Sequence, residues 1–335
     1  MTALNSEANK KKILLITPDY MEYTDIIRNA IAEYLNAETH LVTTTGNDFK
    51  FSYRNLFHRL QNLLSKILVR KNQKRIFYNN AITQKLEFIF HDDSLFDDIL
   101  ILRPDLIKEH LPFIKKHGKR LIAYFWDSFS RIPEGKETIQ YFDKFSSFEP
   151  KDVRDHQLIF LPNFYSPDIG INKNKQPQFD LSYVASYDDR LTTLERILVS
   201  LSPLDLNTNI NILAPKIIAS KNKNEKNISW FTDVLPRKET IRIMNDSIVL
   251  LDIAQPKQEG LSFRVFEAMI LEKKIITTNQ SVATYDFFNP NNIFVWQNED
   301  SIPQKDFFTI PYTPLSPEIV KKYSLQNWVH QLFEE

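Results

Sequence analysis

Cysteine is missing from all 335 residues, and that absence removes disulfides, thiolate metal sites and cysteine nucleophiles together. Glycine is scarce, with five in the chain, so each one marks a place where the backbone needs it. The turn Pro18-Asp19-Tyr20-Met21-Glu22-Tyr23, after the first apolar run, has no glycine, so neither the dinucleotide fingerprint nor the P-loop stands there. Forty-two basic residues balance forty-two acidic ones, which argues against nucleic acid as a partner. Residues 1 to 10 lack an apolar h-region, and no segment offers about eighteen uninterrupted apolar residues, so neither a signal peptide nor a membrane span is expected. A cytoplasmic location is the expectation. Seven histidines without paired ligand spacing predict no structural metal.

What is present reads as α/β. Lys12 to Thr17 is a short apolar run ending at Pro18, as a central parallel strand would, and residues 24 to 36 follow as an amphipathic helix. Further strands are predicted at Asp98 to Leu102, Arg120 to Phe125, Lys144 to Phe148 and Leu158 to Leu161. A shift in composition over residues 164 to 178, with Pro167, Gly170 and Pro177 among Asn and Lys, marks a linker. Phe179 then opens a second sheet. The domain reading is a disordered leader over 1–10, a Rossmann-like domain over 11–163, the linker over 164–178, a second α/β domain over 179–314 and a terminal helix over 315–335. Ser316 would cap that helix, with Pro317 in its first turn.

The most informative run is Glu259-Gly260-Leu261-Ser262-Phe263-Arg264-Val265-Phe266-Glu267, in which two carboxylates enclose seven residues. Leu261, Val265, Phe266 and Met269 have helical spacing, which puts Gly260 and Ser262 at a helix N-terminus, where free N–H groups and the helix dipole favour a phosphate. Upstream, Ile228 to Phe231 reads as a strand, residues 236 to 245 as a helix and Ser247 to Asp252 as a buried strand; Lys274 to Asn279 is a strand downstream. The helix between the last two makes a βαβ unit, whose ligands gather beyond the carboxyl ends of the strands.

The stretch from about 228 to 279 resembles the donor-binding half of GT-B glycosyltransferases with the E-x7-E signature. Phe125-Trp126-Asp127-Ser128, residues 142 to 148, Phe179 to Val184 with Asp189-Arg190, and Gln258 to Arg264 are similar to bacterial lipopolysaccharide and capsule glycosyltransferases. The resemblance implies two Rossmann-like domains facing across a cleft, 11–163 for the acceptor and 179–314 for the donor, with the C-terminal helix crossing back to the first. It implies a nucleotide-sugar donor, no separate cofactor, and a glycan or glycolipid hydroxyl as acceptor, with a retaining outcome. By the same resemblance Glu267 binds the nucleotide ribose, Glu259 lies near the sugar hydroxyls, and the turn at Gly260, Leu261 and Ser262 presents amides to the diphosphate. Arg190 and Arg264 are its guanidinium partners for that diphosphate.

Two departures stand beside the resemblance. The Gly-x-Pro that often follows the second glutamate's helix is Glu272-Lys273-Lys274 here, and the loop Val184 to Arg190 has no glycine. Asp127, at the end of a predicted strand, is the candidate acid–base group, with a turn cap as its other reading; Asp19 and Glu22 are weaker candidates. The acidic pairs Asp92-Asp93, Asp97-Asp98 and Asp188-Asp189 are adjacent rather than spaced as Asp-x-Asp, which disfavours metal-dependent transfer. Between Phe49 and Leu86 there is no acidic residue, while basic residues and an apolar stripe alternate. Residues 50–75 thus read either as a basic amphipathic surface for an anionic membrane or as domain core with a solvated face. Against glycosyl transfer stand a non-catalytic partner protein in a polysaccharide assembly complex and a nucleotide-sugar epimerase.

Overall fold

A computed structural model describes residues 10–20, 22–52, 59, 62–63, 72–91, 95–171, 176–221 and 228–334. Most of the basic segment expected to meet a membrane, and nearly all of the expected leader, lie outside the described residues. The chain forms two compact units. One comprises residues 1–148, 152–161 and 329–335, and the other 149–151 and 162–328.

The first unit is built on six parallel strands, β1 (Lys12–Thr17), β2 (Glu38–Thr43), β3 (Phe96–Leu102), β4 (Gly118–Phe125), β5 (Lys144–Ser147) and β6 (Ile159–Phe160), in the order β2-β1-β3-β4-β5-β6. The apolar runs of β1, β3 and β4 occupy the centre, as strands covered on both faces must. Leu14 pairs with Ile99 and Ile99 with Leu121, all buried. Helices α1 (Glu22–Tyr34) and α2 (Gln73–Ile89) belong to this unit. Lys85, in the acid-free stretch, pairs with Asp48 at 2.9 Å and lies 4.8 Å from the Phe49 ring. At the end of the sheet where the strands begin, Arg120 donates to Phe333 O at 2.8 Å, and Lys144 donates to Gln331 O and Glu334 O at 2.8 and 2.7 Å.

The second unit carries β7 (Phe179–Ser186), β8 (Thr208–Leu213), β9 (Ile228–Phe231), β10 (Ser247–Asp252), β11 (Lys274–Thr277) and β12 (Ile293–Val295) in the order β12-β11-β10-β7-β8-β9, again all parallel. That order is doubly wound, with the first strand β7 and the fourth strand β10 side by side. Helix α3 (Arg190–Leu201) follows β7, α4 (Arg237–Asn245) leads into β10, and α5 (Phe263–Ile270) joins β10 to β11. Helix α5 buries Val265, Phe266, Ala268 and Met269 and ends in a Schellman motif. Glu272 takes the left-handed position there (φ 51°), with Lys273 N–H on Ala268 O at 2.9 Å and Glu272 N–H on Met269 O at 3.2 Å.

Two sequence expectations change. Residues 164 to 169, read as linker, are built into the second unit: Phe164 is buried with its ring centroid 4.8 Å from Trp328 and 5.2 Å from Phe263. The single terminal helix is two, α6 (Pro317–Lys322) and α7 (Leu325–Phe333). The break arises because Tyr165 inserts its backbone, donating to Tyr323 O and accepting from Leu325 N–H, each at 3.0 Å. Ser324 then starts the second helix, accepting Asn327 N–H on its hydroxyl at 3.1 Å.

Candidate functional site

In the second unit the chain winds outward in opposite directions from β7 and β10, and the loops at their carboxyl ends frame the position where doubly wound sheets take ligands. Asp252, the last residue of β10, is buried and accepts from Ser262 Oγ at 2.7 Å and Thr277 Oγ1 at 2.8 Å. Ser262 has the extended backbone of an N-cap (φ −68°, ψ 160°), yet its hydroxyl goes to Asp252 and makes no cap bond. Donation to the buried carboxylate turns the side chain toward Asp252. Helix α5 thus points its N-terminal end, the positive end of its dipole, at this edge.

Arg190 and Arg264 both reach the same edge. Arg190 donates from Nε and Nη2 to Asp188 at 2.8 to 3.0 Å and from Nη1 to Ile253 O at 3.1 Å. Burial acts to raise the Asp188 carboxyl, but bonds from Arg190 and from Gln255 outweigh it and hold the pKa below the ordinary value. Arg264 spans the two central strands, donating to Leu251 O at 3.2 Å and Val184 O at 2.5 Å, with Tyr183 beneath it at 5.4 Å. Both guanidinium groups thus have internal partners.

Glu267 lies on α5, only 7% exposed, and accepts from Arg237 Nη1 at 3.3 Å. Arg237 opens α4 and also binds Asp168 through Nε at 2.7 Å and Nη2 at 3.1 Å. Burial would raise the Asp168 pKa, but Arg237 and Ser166 together lower it. The sequence reading missed Arg237 and Asp168. Arg237 begins a helix at the carboxyl edge of the sheet, and the same edge argument that selected Asp127 would have found it; Asp168 carried no such signal.

The Glu259–Gly260 turn is bound on both sides. The Glu149 carboxylate accepts the N–H groups of Glu259 (3.1 and 3.2 Å) and Gly260 (3.2 Å), and Asn279 Nδ2 donates to their carbonyls at 3.2 and 3.0 Å. Gly260, expected to offer its amide to a diphosphate, offers it to Glu149 here. Leu261 sends its side chain into the core, 1% exposed, while its carbonyl accepts from Asn163 at 2.9 Å.

Asp127 belongs to the first unit, whereas Arg190, Glu259, Gly260, Leu261, Ser262, Arg264 and Glu267 belong to the second. It follows β4 and accepts from its neighbour Ser128 N–H at 3.0 Å and from Arg131 at 3.2 Å. Arg103, just beyond β3, lies 3.8 Å from the same carboxylate and grips Asp105 through two 2.8 Å bonds. Its backbone is left-handed (φ 61°, ψ 60°), a conformation that stores strain in a residue with a side chain. Tyr20 accepts from Trp126 Nε1 at 2.8 Å, the rings edge-on at 4.4 Å. An aromatic pair, a carboxylate and a guanidinium thus meet at the carboxyl edge of the first sheet. Asp19 and Glu22 are exposed.

No family model matches the chain, and no curated protein matches it in sequence. Solved structures do match. Sucrose-phosphate synthase from Thermosynechococcus elongatus aligns at a TM-score of 0.52 and 10% identity, over 97% of this chain and 95% of that one. The N-terminal domain of Candida albicans trehalose-6-phosphate phosphatase aligns at 0.52 and 12% identity, over 95% and 97%. At such identities the likeness concerns the fold, which is GT-B, with two α/β units each on a parallel six-stranded sheet.

Proposed function

We propose that this chain is a glycosyltransferase that moves a sugar from a nucleotide-sugar donor to a hydroxyl of a surface polysaccharide or lipopolysaccharide acceptor, without a bound metal and with retention. The observation that carries the reading is the meeting, at the switch point of the second sheet, of the α5 N-terminus, Arg190, Arg264 and a buried Glu267 oriented by Arg237. Likeness in fold to a sucrose-phosphate synthase supports it, as does the resemblance of residues 228 to 279 to E-x7-E enzymes. In the reaction the bond from the anomeric carbon to the diphosphate breaks and one to the acceptor oxygen forms on the same face. The acceptor proton passes to a leaving phosphate oxygen. The helix N-terminus and the two arginines stabilise the charge that grows on the diphosphate. Glu267 takes the ribose and Glu259 the sugar hydroxyls; Asp127 serves the acceptor. We further propose a cytoplasmic enzyme that works at the inner face of the membrane.

The internal pairing of both arginines, and of the Gly260 amide, favours a second reading: a GT-B partner protein that holds a glycan without turning over a donor. Thermal unfolding with a panel of nucleoside diphosphates and nucleotide sugars, on wild type and Glu267→Ala in parallel, separates the two. Ligand at 100 times its dissociation constant adds about 2.7 kcal/mol to the state that binds it. A shift for one base, lost in Glu267→Ala, is the expected result. No shift with any of the panel overturns the transfer reading in favour of the partner protein.

A further inference from the structure

The turn between the two candidate donor elements is fastened by a residue that the sequence placed far from it. Glu149 precedes Pro150 at the start of a short helix (Pro150–His156) and accepts Lys151 N–H at 3.2 Å, as a helix-capping side chain does. The same carboxylate, 1% exposed, accepts the N–H groups of Glu259 and Gly260. Three backbone donors therefore converge on one buried side chain, which suits a group that only accepts. From the opposite side Asn279, 3% exposed, donates to the carbonyls of both turn residues, and Gln258 Nε2 adds a 2.7 Å bond to Gly260 O. Asn279 is itself fixed, its N–H on Thr277 Oγ1 and its Oδ1 accepting Ser281 N–H, both at 3.0 Å. Every backbone polar group of the two-residue turn is thus held by a side chain.

We infer that Glu149 is a positioning residue for the donor loop. Its carboxylate locks the Glu259–Gly260 turn from the N–H side and thereby sets the approach to α5 and the placement of Glu259. A phosphate seeking the Gly260 amide would have to displace a buried carboxylate that already accepts it, which is unfavourable. The turn is scaffold rather than a phosphate cradle. The geometry stands alone; its consequence for ligand rests on the transfer reading above.

The test uses the full chain, Glu149→Ala and Glu149→Gln, with hydrogen exchange resolved at residues 259 to 262 and titration calorimetry with uridine and guanosine diphosphates, well below each variant's unfolding temperature. Loss of a hydrogen bond to a charged group should speed exchange at Glu259 and Gly260 about tenfold or more in Glu149→Ala, and weaken the diphosphate that wild type binds by a similar factor. Glu149→Gln, which keeps one accepting oxygen, should fall between on both readouts. A merely structural role would lower the unfolding temperature while leaving local exchange and affinity as in wild type, and that result overturns the inference. Tighter diphosphate binding in Glu149→Ala also overturns it, by making the carboxylate a competitor. Should Glu149→Ala not fold, Glu149→Gln and Asn279→Ala carry the test, and unchanged exchange in both is fatal to it. If wild type binds neither nucleotide, the affinity arm passes to the nucleotide that the thermal panel selects, and exchange still decides the role of Glu149.

Discussion

Replacing Arg264 by methionine keeps an unbranched apolar stem and removes the guanidinium, so it separates a strut from a ligand-facing charge. In the structure that guanidinium ties Leu251 O and Val184 O, on the neighbouring central strands of the second sheet, and lies over Tyr183. A hydrogen bond to a charged group contributes about 1.5–3 kcal/mol. The contact of this partly exposed guanidinium with the buried Tyr183 ring adds roughly 0.5–1 kcal/mol. Arg264 is half-buried, so the lower ends apply, and the sum is about 3–4 kcal/mol. At roughly 2–4 °C per kcal/mol for a unit of this size, Arg264→Met should lower the unfolding temperature of the second unit by about 6–16 °C. Scanning calorimetry of the two proteins reads this directly. An unfolding temperature within about 2 °C of wild type refutes the strut, since even one lost bond should move it further. If nucleotide binding vanished while stability held, Arg264 would serve the diphosphate without bracing the sheet.

Two further outcomes are expected. Glu272→Gly should stabilise the second unit by about 1 kcal/mol, because the left-handed position that ends α5 penalises a Cβ and glycine has none. The urea midpoint should rise at constant slope, and no rise counts against the motif. Asp168 and Asp188 have folded pKa values below the ordinary 3.8, so their stabilisation is fully present above that value and is lost as pH falls through the lower folded ones. Urea midpoints should therefore drop on the acid side of 3.8, and Arg237→Met with Arg190→Met should flatten that limb; an unaltered limb would show that the pairs contribute nothing.

Much of the architecture could be read from the chain because its central strands are unbroken apolar runs. The apolar runs Lys12 to Thr17 and Ser247 to Asp252 coincide with β1 and β10, since each is too short for a helix and has the composition of a strand covered on both faces. The missed strands are those with little apolar content. Thr208–Leu213 interleaves asparagines, Glu38–Thr43 sits at an edge with mixed polarity, and Ile293–Val295 is three residues long. The same contrast governs the site. Helix α5 and the Glu259 to Glu267 spacing are local and periodic, so they were legible. Arg237, Asp168, Glu149 and Asn279 act through partners distant in sequence, and no local pattern marks a side chain whose role is to hold another segment.

The first unit is discontinuous in sequence, and this bears on the order in which it is completed. Arg120 and Lys144, near the starts of β4 and β5, find their carbonyl partners on residues 331 to 334, across separations of 187 to 213 residues. During synthesis those carbonyl partners come only after the whole of residues 162–328, which make up nearly all of the other compact unit. Contacts of such long range carry a large loop-closure entropy and form late. Most of the first unit is made first, yet the last partners of Arg120 and Lys144 arrive at the end.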